Sequence, residues 1–167
     1  MKHAVRNAVM ATAVAAALGI VAGATSAADK KSTAVSAHDH GRYLVTIGGC
    51  NDCHTPGYAM SGGKVDEKQW LTGDSLGWRG PWGTTYPINL RLYMQAISEK
   101  AWVDKARHLT ARPPMPYWAL NQMTDADLRA LYRYVRSLGP AGHPAPDYVP
   151  PTQEPKPPYV TFPAPPK

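Results

Sequence analysis

The chain has 167 residues, enough for one domain with extensions, and carries 18 Lys and Arg against 12 Asp and Glu, a formal charge of +6. Its basic residues are dispersed rather than clustered, which argues against a nucleic-acid-binding role, and no repeat of fixed period stands out. One Phe against nine Tyr and five Trp predicts an aromatic core with polar handles, while seventeen Pro and fourteen Gly predict long loops.

Residues 1–28 read as a secretory signal. Lys2 and Arg6 precede an apolar run from Ala8 to Ala24, and Thr25, Ser26, Ala27 and Ala28 supply small residues for cleavage. The run is short for a membrane span and consists mainly of weakly apolar residues. Cleavage and export to the periplasm are therefore expected, rather than a permanent anchor. Cleavage takes Lys2 and Arg6 and no acid with it, lowering the charge from +6 to +4. That mild balance suits either a plain solvated surface or steering towards an acidic partner. Residues 29–37 are polar and small and form a lead-in.

A first helix is expected from about His38 to Gly48, with Tyr43, Leu44 and Ile47 facing the core. Gly48-Gly49 either stops this helix or lets backbone approach a flat cofactor. Cys50-Asn51-Asp52-Cys53-His54 follows, the attachment pattern of a c-type haem. Residues three and four apart on a helical turn share a face. Cys50 and Cys53 can thus each form a thioether with a haem vinyl, while His54 turns its ring onto the iron as proximal ligand. Other uses of the motif fit less well. A thioredoxin-like pair sits near a βαβ pattern, which is not found here. A structural zinc needs four ligands, and the chain has only two cysteines.

The stretch from Thr55 to Trp78 is broken by turn residues, and Lys64 to Trp70 suits either a short helix or a strand. Gly80 to Pro87 is too rich in Pro and Gly for regular structure to be expected. Arg79, Trp82, Tyr86 and Asn89 are candidates for contact with a haem propionate, Arg79 through charge-assisted hydrogen bonds. Trp82 and Tyr86 are equally able to fill core beneath a loop. Between Leu90 and about His108 lies helical material: Leu92, Tyr93, Ala96 and Ile97 form one apolar patch, and Ser98-Glu99 can open a second helix carrying Trp102, Val103 and Ala106.

In Arg112-Pro113-Pro114-Met115-Pro116-Tyr117-Trp118, three prolines hold one Met in a stiff, extended segment. A thioether held in this way suits the second axial position of a haem iron, where it raises the reduction potential. Core filling is the ordinary role of Met. The rival ligands are Met60, too close to His54 in sequence; Met94, inside a helical pattern; Met123, which needs a shifted register; His108, which gives bis-histidine ligation; and His143, in the tail. Thr124-Asp125-Ala126-Asp127 caps a final helix with Leu128, Leu131, Tyr132, Val135 and Leu138 on its apolar face. Arg129, Arg133 and Arg136 lie off that face, solvated or towards a partner, and Gly139-Pro140 ends the helix. Residues 140–167 hold eleven prolines and form no packed domain; they are a strap across the body, a partner-binding segment or disordered.

Gly41-Arg42-Tyr43-Leu44, Cys50-x-x-Cys53-His54-Thr55-Pro56, Pro114-Met115-Pro116, Thr124-Asp125-x-Asp127-Leu128 and Tyr134-Val135-Arg136-Ser137-Leu138 come in the order seen in small monohaem c-type cytochromes. The chain resembles in particular the exported cytochromes related to the cytochrome subunits of bacterial alcohol and gluconate dehydrogenases. The resemblance covers roughly Gly41 to Leu138. It implies an all-α, cytochrome c-like fold whose first and last helices cross beside the haem, with Gly41 against Tyr134, and His54 and Met115 as axial ligands. The Trp-rich stretch from Trp70 to Trp82 and the Pro-rich tail depart from it.

The expected organisation is therefore a signal (1–28), a lead-in (29–37), a cytochrome c domain (38–139) and a tail (140–167). The expected function is periplasmic electron transfer through one covalent haem c, between a dehydrogenase or other redox donor and a respiratory acceptor, without catalysis of its own. The alternatives are a haem enzyme or gas sensor with a displaceable sixth ligand and, more remotely, a thiol-disulfide oxidoreductase.

Overall fold

The computed structural model describes residues 36–163; the predicted signal and nearly all of the lead-in lie outside the described residues. Helix α1 (Ala37–Ile47) starts at Ser36, whose hydroxyl accepts the Asp39 N–H at 3.0 Å. It crosses the last helix, α6 (Asp125–Ser137), at a glycine. A Cβ on Gly41 would sit 2.6 Å from the Tyr134 Cβ and would also strike the Ala130 carbonyl, so only a residue without a side chain permits this approach. The contact stripe on α1 is therefore Gly41, Leu44 and Val45. Tyr43 and Ile47 were expected in the core, but they are 56% and 60% exposed. They lie one turn apart on the neighbouring face, which the Gly41 contact turns away from α6.

Polar contacts lock the same crossing. His40 Nε2 lies 2.7 Å from Asp127 Oδ1. The Glu67 carboxylate accepts from the Tyr134 hydroxyl at 2.6 Å and from Arg42 Nε at 3.0 Å. Glu67 opens a short 3-10 helix (Glu67–Gln69), so of the two forms open to the segment from Lys64 to Trp70 it takes a short helix rather than a strand.

Helix α6 begins with the predicted cap. Thr124 Oγ1 accepts the Asp127 N–H at 3.1 Å, and the Asp127 carboxylate reaches back to the Thr124 N–H. Leu128, Leu131, Tyr132 and Val135 are buried as expected, together with Ala130 and Tyr134. Its arginines are engaged within the fold. Arg129 and Arg133 share Glu99, and Arg136 donates to the Met94 carbonyl at 3.2 Å. Glu99 lies on α4 (Glu99–Arg107), which Ser98 caps, and Met94 on α3 (Leu90–Ala96), which Asn89 caps. Arg91 of α3 is 5% exposed and donates to the carbonyls of Lys68 and Gly139, each at 2.6 Å, and to that of Leu138. It thereby places a cation against the negative end of α6. The aromatic handles appear as predicted: Trp70 Nε1 donates to Val65 O, Trp102 Nε1 to Leu128 O and the Tyr132 hydroxyl to Ile97 O.

The fold is mainly helical, with six α-helices among the described residues, the remaining two being α2 (Cys50–His54) and α5 (Tyr117–Gln122). It is not purely α, as the sequence suggested: β1 (Gly77–Gly80), β2 (Gly83–Thr85) and β3 (Tyr159–Thr161) form a sheet in the order β2-β1-β3. The stretch expected to be irregular is an antiparallel hairpin, with Gly80 opposite Gly83 around a Pro81-Trp82 turn. Gly83, at φ +94°, permits that turn, and its bare Cα leaves room for the Val149 carbonyl. The tail supplies β3, parallel to β1, and Val149 exchanges backbone hydrogen bonds with Thr84 at 2.7 and 3.0 Å. Of the three roles open to the tail, residues 140–163 adopt the strap.

Two outcomes follow from the helix crossing. Gly41→Val is expected to lower unfolding free energy by about 3 kcal/mol by overpacking, read as a fall in the urea midpoint at unchanged slope. The second concerns acid. Burial raises the Glu67 carboxyl, but hydrogen bonds from Tyr134 and Arg42 outweigh it and hold the group below its ordinary 4.5. Folded protein thus binds fewer protons at Glu67 than unfolded protein. The stabilisation is complete above pH 4.5 and is lost as pH falls through the lowered value. Glu67→Gln is expected to flatten the stability–pH curve in that acid range, measured by denaturation between pH 2 and 7.

Candidate functional site

Helix α2 carries the Cys-x-x-Cys-His motif and is a single short turn held by its neighbours. Behind it, Thr55 is 1% exposed; its hydroxyl donates to Asn51 Oδ1 at 2.7 Å and accepts the Leu71 N–H at 2.8 Å. Leu71 is itself fully buried, with a positive φ of 62°, unusual for a residue with a side chain. This network ties the motif turn to the segment leading into the hairpin.

His54 is 8% exposed, and its Nδ1 donates to the Ile88 carbonyl at 2.7 Å. Burial holds the imidazole below its ordinary pKa, although the hydrogen bond to Ile88 opposes the shift. The ring is therefore neutral at pH 7, with its proton on Nδ1 and Nε2 left as a lone-pair donor, the state an iron ligand requires. Burial also pushes the Cys50 thiol up to about 11 and raises that of Cys53, and neither cysteine is in a disulfide.

Cys50, Cys53 and His54 open onto a cavity of about 370 Å³. Gly48, which caps α1, and Gly49 border it, so the glycine pair both stops the helix and brings backbone to the cavity wall. Opposite chain segments supply Leu90, Met94, Trp102, Leu120 and Leu131, giving a mostly apolar lining. Met115 lies on the same wall, half-buried between Pro114 and Pro116, in the loop joining α4 to α5. Thr85 Oγ1 pins that loop by donating to the Pro113 carbonyl at 2.8 Å. From the other side, Asn121 of α5 donates to the Ala106 carbonyl at 2.7 Å and holds α5 against the end of α4.

Of the rival ligands, Met94 and Met123 also line the cavity. Met60 is 93% exposed, His108 turns its Nδ1 to the Asp104 carbonyl, and His143 lies on the exposed tail. Among the four proposed propionate contacts, Tyr86 borders the cavity. The other three are held elsewhere. Arg79 is 2.7 Å from Glu154 and lies over the Tyr159 ring. Trp82 folds over Gly80 and packs on Phe162, its indole donating to Trp78 O. Asn89 caps α3 with its oxygen, and its amide donates to the carbonyls of Ala141 and His143. Arg79 and Trp82 hold the hairpin to the strap and Asn89 holds the start of α3 to it, contacts that depend on the tail returning to the body.

Sequence reasoning gave no role in the site to Trp78, Lys105 or Arg112, which border the cavity. The Trp78 indole N–H is buried and has no hydrogen-bond partner among the described residues. It can serve an anionic group entering the cavity. Arg112 stands three residues before Met115, and that adjacency was the signal available in the sequence.

A thioether-forming motif, a neutral buried imidazole with a free Nε2 and an apolar cavity with an unpartnered donor together fit a covalently bound haem. These features define a c-type haem protein. Residues 39–139 match the family described as Cytochrome c, and the chain belongs to that family. It is also 31% identical over 121 residues, 65% of its length, to a protein of Pseudomonas putida named as one of the subunits of nicotinate dehydrogenase. The match spans only about 9% of that relative's own length. No solved structure matches the chain.

Thr55→Val keeps the shape of the side chain but leaves the buried Leu71 N–H without its acceptor. A loss of about 1–3 kcal/mol is expected, measured by chemical denaturation of the holoprotein.

Proposed function

We propose that this chain is an exported electron-transfer protein carrying one haem c, bound by thioethers from Cys50 and Cys53 and ligated by His54 and Met115. The observation that carries the reading is the convergence of both thiols, the neutral His54 ring and the Met115 thioether on one apolar cavity. The haem would supply the one-electron chemistry, its iron alternating between ferric and ferrous states. The protein's part is to orient and to exclude. The Ile88 carbonyl keeps the His54 proton on Nδ1 and aligns the ring. The prolines beside Met115 restrict the path of the loop that presents its sulfur. Leu90, Trp102, Leu120 and Leu131 keep water from the cofactor and, with a thioether ligand, favour the reduced state.

A dehydrogenase is the proposed donor and a respiratory protein the proposed acceptor, each docking over a small, transient surface. Likeness to a protein named as part of a dehydrogenase supports the donor, either as a separate partner or as the other part of one complex. Localisation in the periplasm rests on the sequence of residues 1–28 and on the need of c-type haem attachment for an exported chain. No helix among the described residues is long and apolar enough to cross a membrane.

The test is the absorption spectrum of ferric holoprotein for wild type, Met115→Ala and Met123→Leu. A far-red sulfur–iron band is expected in wild type, lost in Met115→Ala and retained in Met123→Leu. Loss in Met123→Leu alone would move the ligand to that residue. High-spin iron in wild type would turn the reading towards ligand binding. Mass spectrometry checks the attachment: Cys50→Ala/Cys53→Ala protein is expected to carry no covalent haem.

A further inference from the structure

Arg112 borders the haem cavity and makes no ion pair or side-chain hydrogen bond among the described residues, yet it is not loose. Its guanidinium carbon sits 3.9 Å from the centre of the Tyr148 ring, a tight cation–π contact. Tyr148 belongs to the tail, and it is anchored independently of Arg112. Its hydroxyl donates to the Trp82 carbonyl at 2.8 Å, and the next residue, Val149, is paired to Thr84 of β2. Thr85, one residue further along β2, holds the carbonyl of Pro113, the residue after Arg112. A single short strand therefore fixes both the loop that carries the cation and the ring beneath it.

A second hollow, of about 450 Å³, continues past Tyr86, Tyr93 and Arg112 to Asp147 and Tyr148, so Arg112 stands where the haem cavity meets the tail. The other cation on the haem cavity wall is Lys105 of α4. A planar guanidinium already stacked on a ring keeps its N–H edges for a carboxylate and loses little side-chain freedom on binding one.

The geometry points to Arg112 as the residue that holds a haem propionate, and to Tyr148 of the Pro-rich tail as the positioning residue that fixes its guanidinium. The inference rests on the proposal that haem c fills the cavity. It makes the tail a determinant of reduction potential, since a cation held near the iron disfavours the more positive ferric state.

The test is spectroelectrochemical titration of full-length holoproteins whose covalent haem has been verified by mass. At a fixed applied potential, Arg112→Gln is expected to raise the ferric-to-ferrous ratio about three- to tenfold over wild type. Tyr148→Leu should move it in the same direction by less. Tyr148→Phe, which keeps the ring and the Val149–Thr84 pairing but loses the hydroxyl's bond to Trp82, should shift less than Tyr148→Leu, and Arg112→Gln/Tyr148→Leu should go no further than Arg112→Gln. Arg112→Lys should recover part of the shift. A wild-type potential in Arg112→Gln, with haem bound, overturns the inference and leaves the haem reading intact. A shift in Arg112→Gln with none in Tyr148→Leu removes the role of the tail. If Arg112→Gln does not accumulate with haem, the Tyr148 pair decides, because that side chain lies in the strap. Wild-type protein without covalent haem overturns both readings.

Discussion

The approach of α1 to α6 at Gly41 is the constraint on which the rest of the structure depends. With no Cβ at that position, the two helices come close enough for Tyr134 to reach Glu67 and for His40 to reach Asp127. Dispersion and burial along Leu44, Val45, Leu131 and Val135 then add to contacts that a bulkier residue would have held apart. Helix α1 leads through Gly48-Gly49 directly into the motif turn. The crossing therefore decides where Cys50, Cys53 and His54 stand relative to the wall that α6 and α3 build.

The site is apolar by necessity. The buried His54 imidazole has its Nδ1 proton held by one backbone carbonyl, that of Ile88, which leaves Nε2 as the lone-pair nitrogen. The Ile88 carbonyl lies just before Asn89, the cap of α3, so helix start and the orientation of the His54 ring share a few residues. The same economy appears in the loop after α4: Thr85 grips Pro113 from the hairpin, and Asn121 grips the end of α4. Met115 sits between those two anchors.

The small sheet joins parts of the chain that are far apart in sequence. β1 and β2 come from the middle of the domain and β3 from the tail, and Trp78, Trp82 and Phe162 pack together at their junction. With Arg79 paired to Glu154 and Asn89 to two tail carbonyls, the strap is bound by side chains as well as by strand pairing. The prolines of the tail suit this role. They limit the freedom of the unbound segment and so reduce the entropy lost when it lies down.

Several features were determined by the sequence alone, because each depends on residues close together in the chain. The Cys50–His54 turn, the Thr124 capping box, the Ser98 cap and the apolar face of α6 follow from local spacing and hydrogen bonding. The Gly41–Tyr134 contact was also legible, as an implication of family resemblance rather than of any local rule. Only the tertiary structure decided what depends on distant partners. Tyr43 and Ile47 have helical spacing suited to a core, but the Gly41 contact turned their face outward. The Gly/Pro-rich segment became a hairpin because the tail returned to pair with β1 and Thr84. Arg79, Trp82 and Asn89 have the chemistry to meet a propionate, yet that returning tail supplied their partners instead. The tail also brought Tyr148 beneath Arg112. Local sequence specifies what a side chain is able to bind, whereas the long-range packing of the chain selects the group it meets.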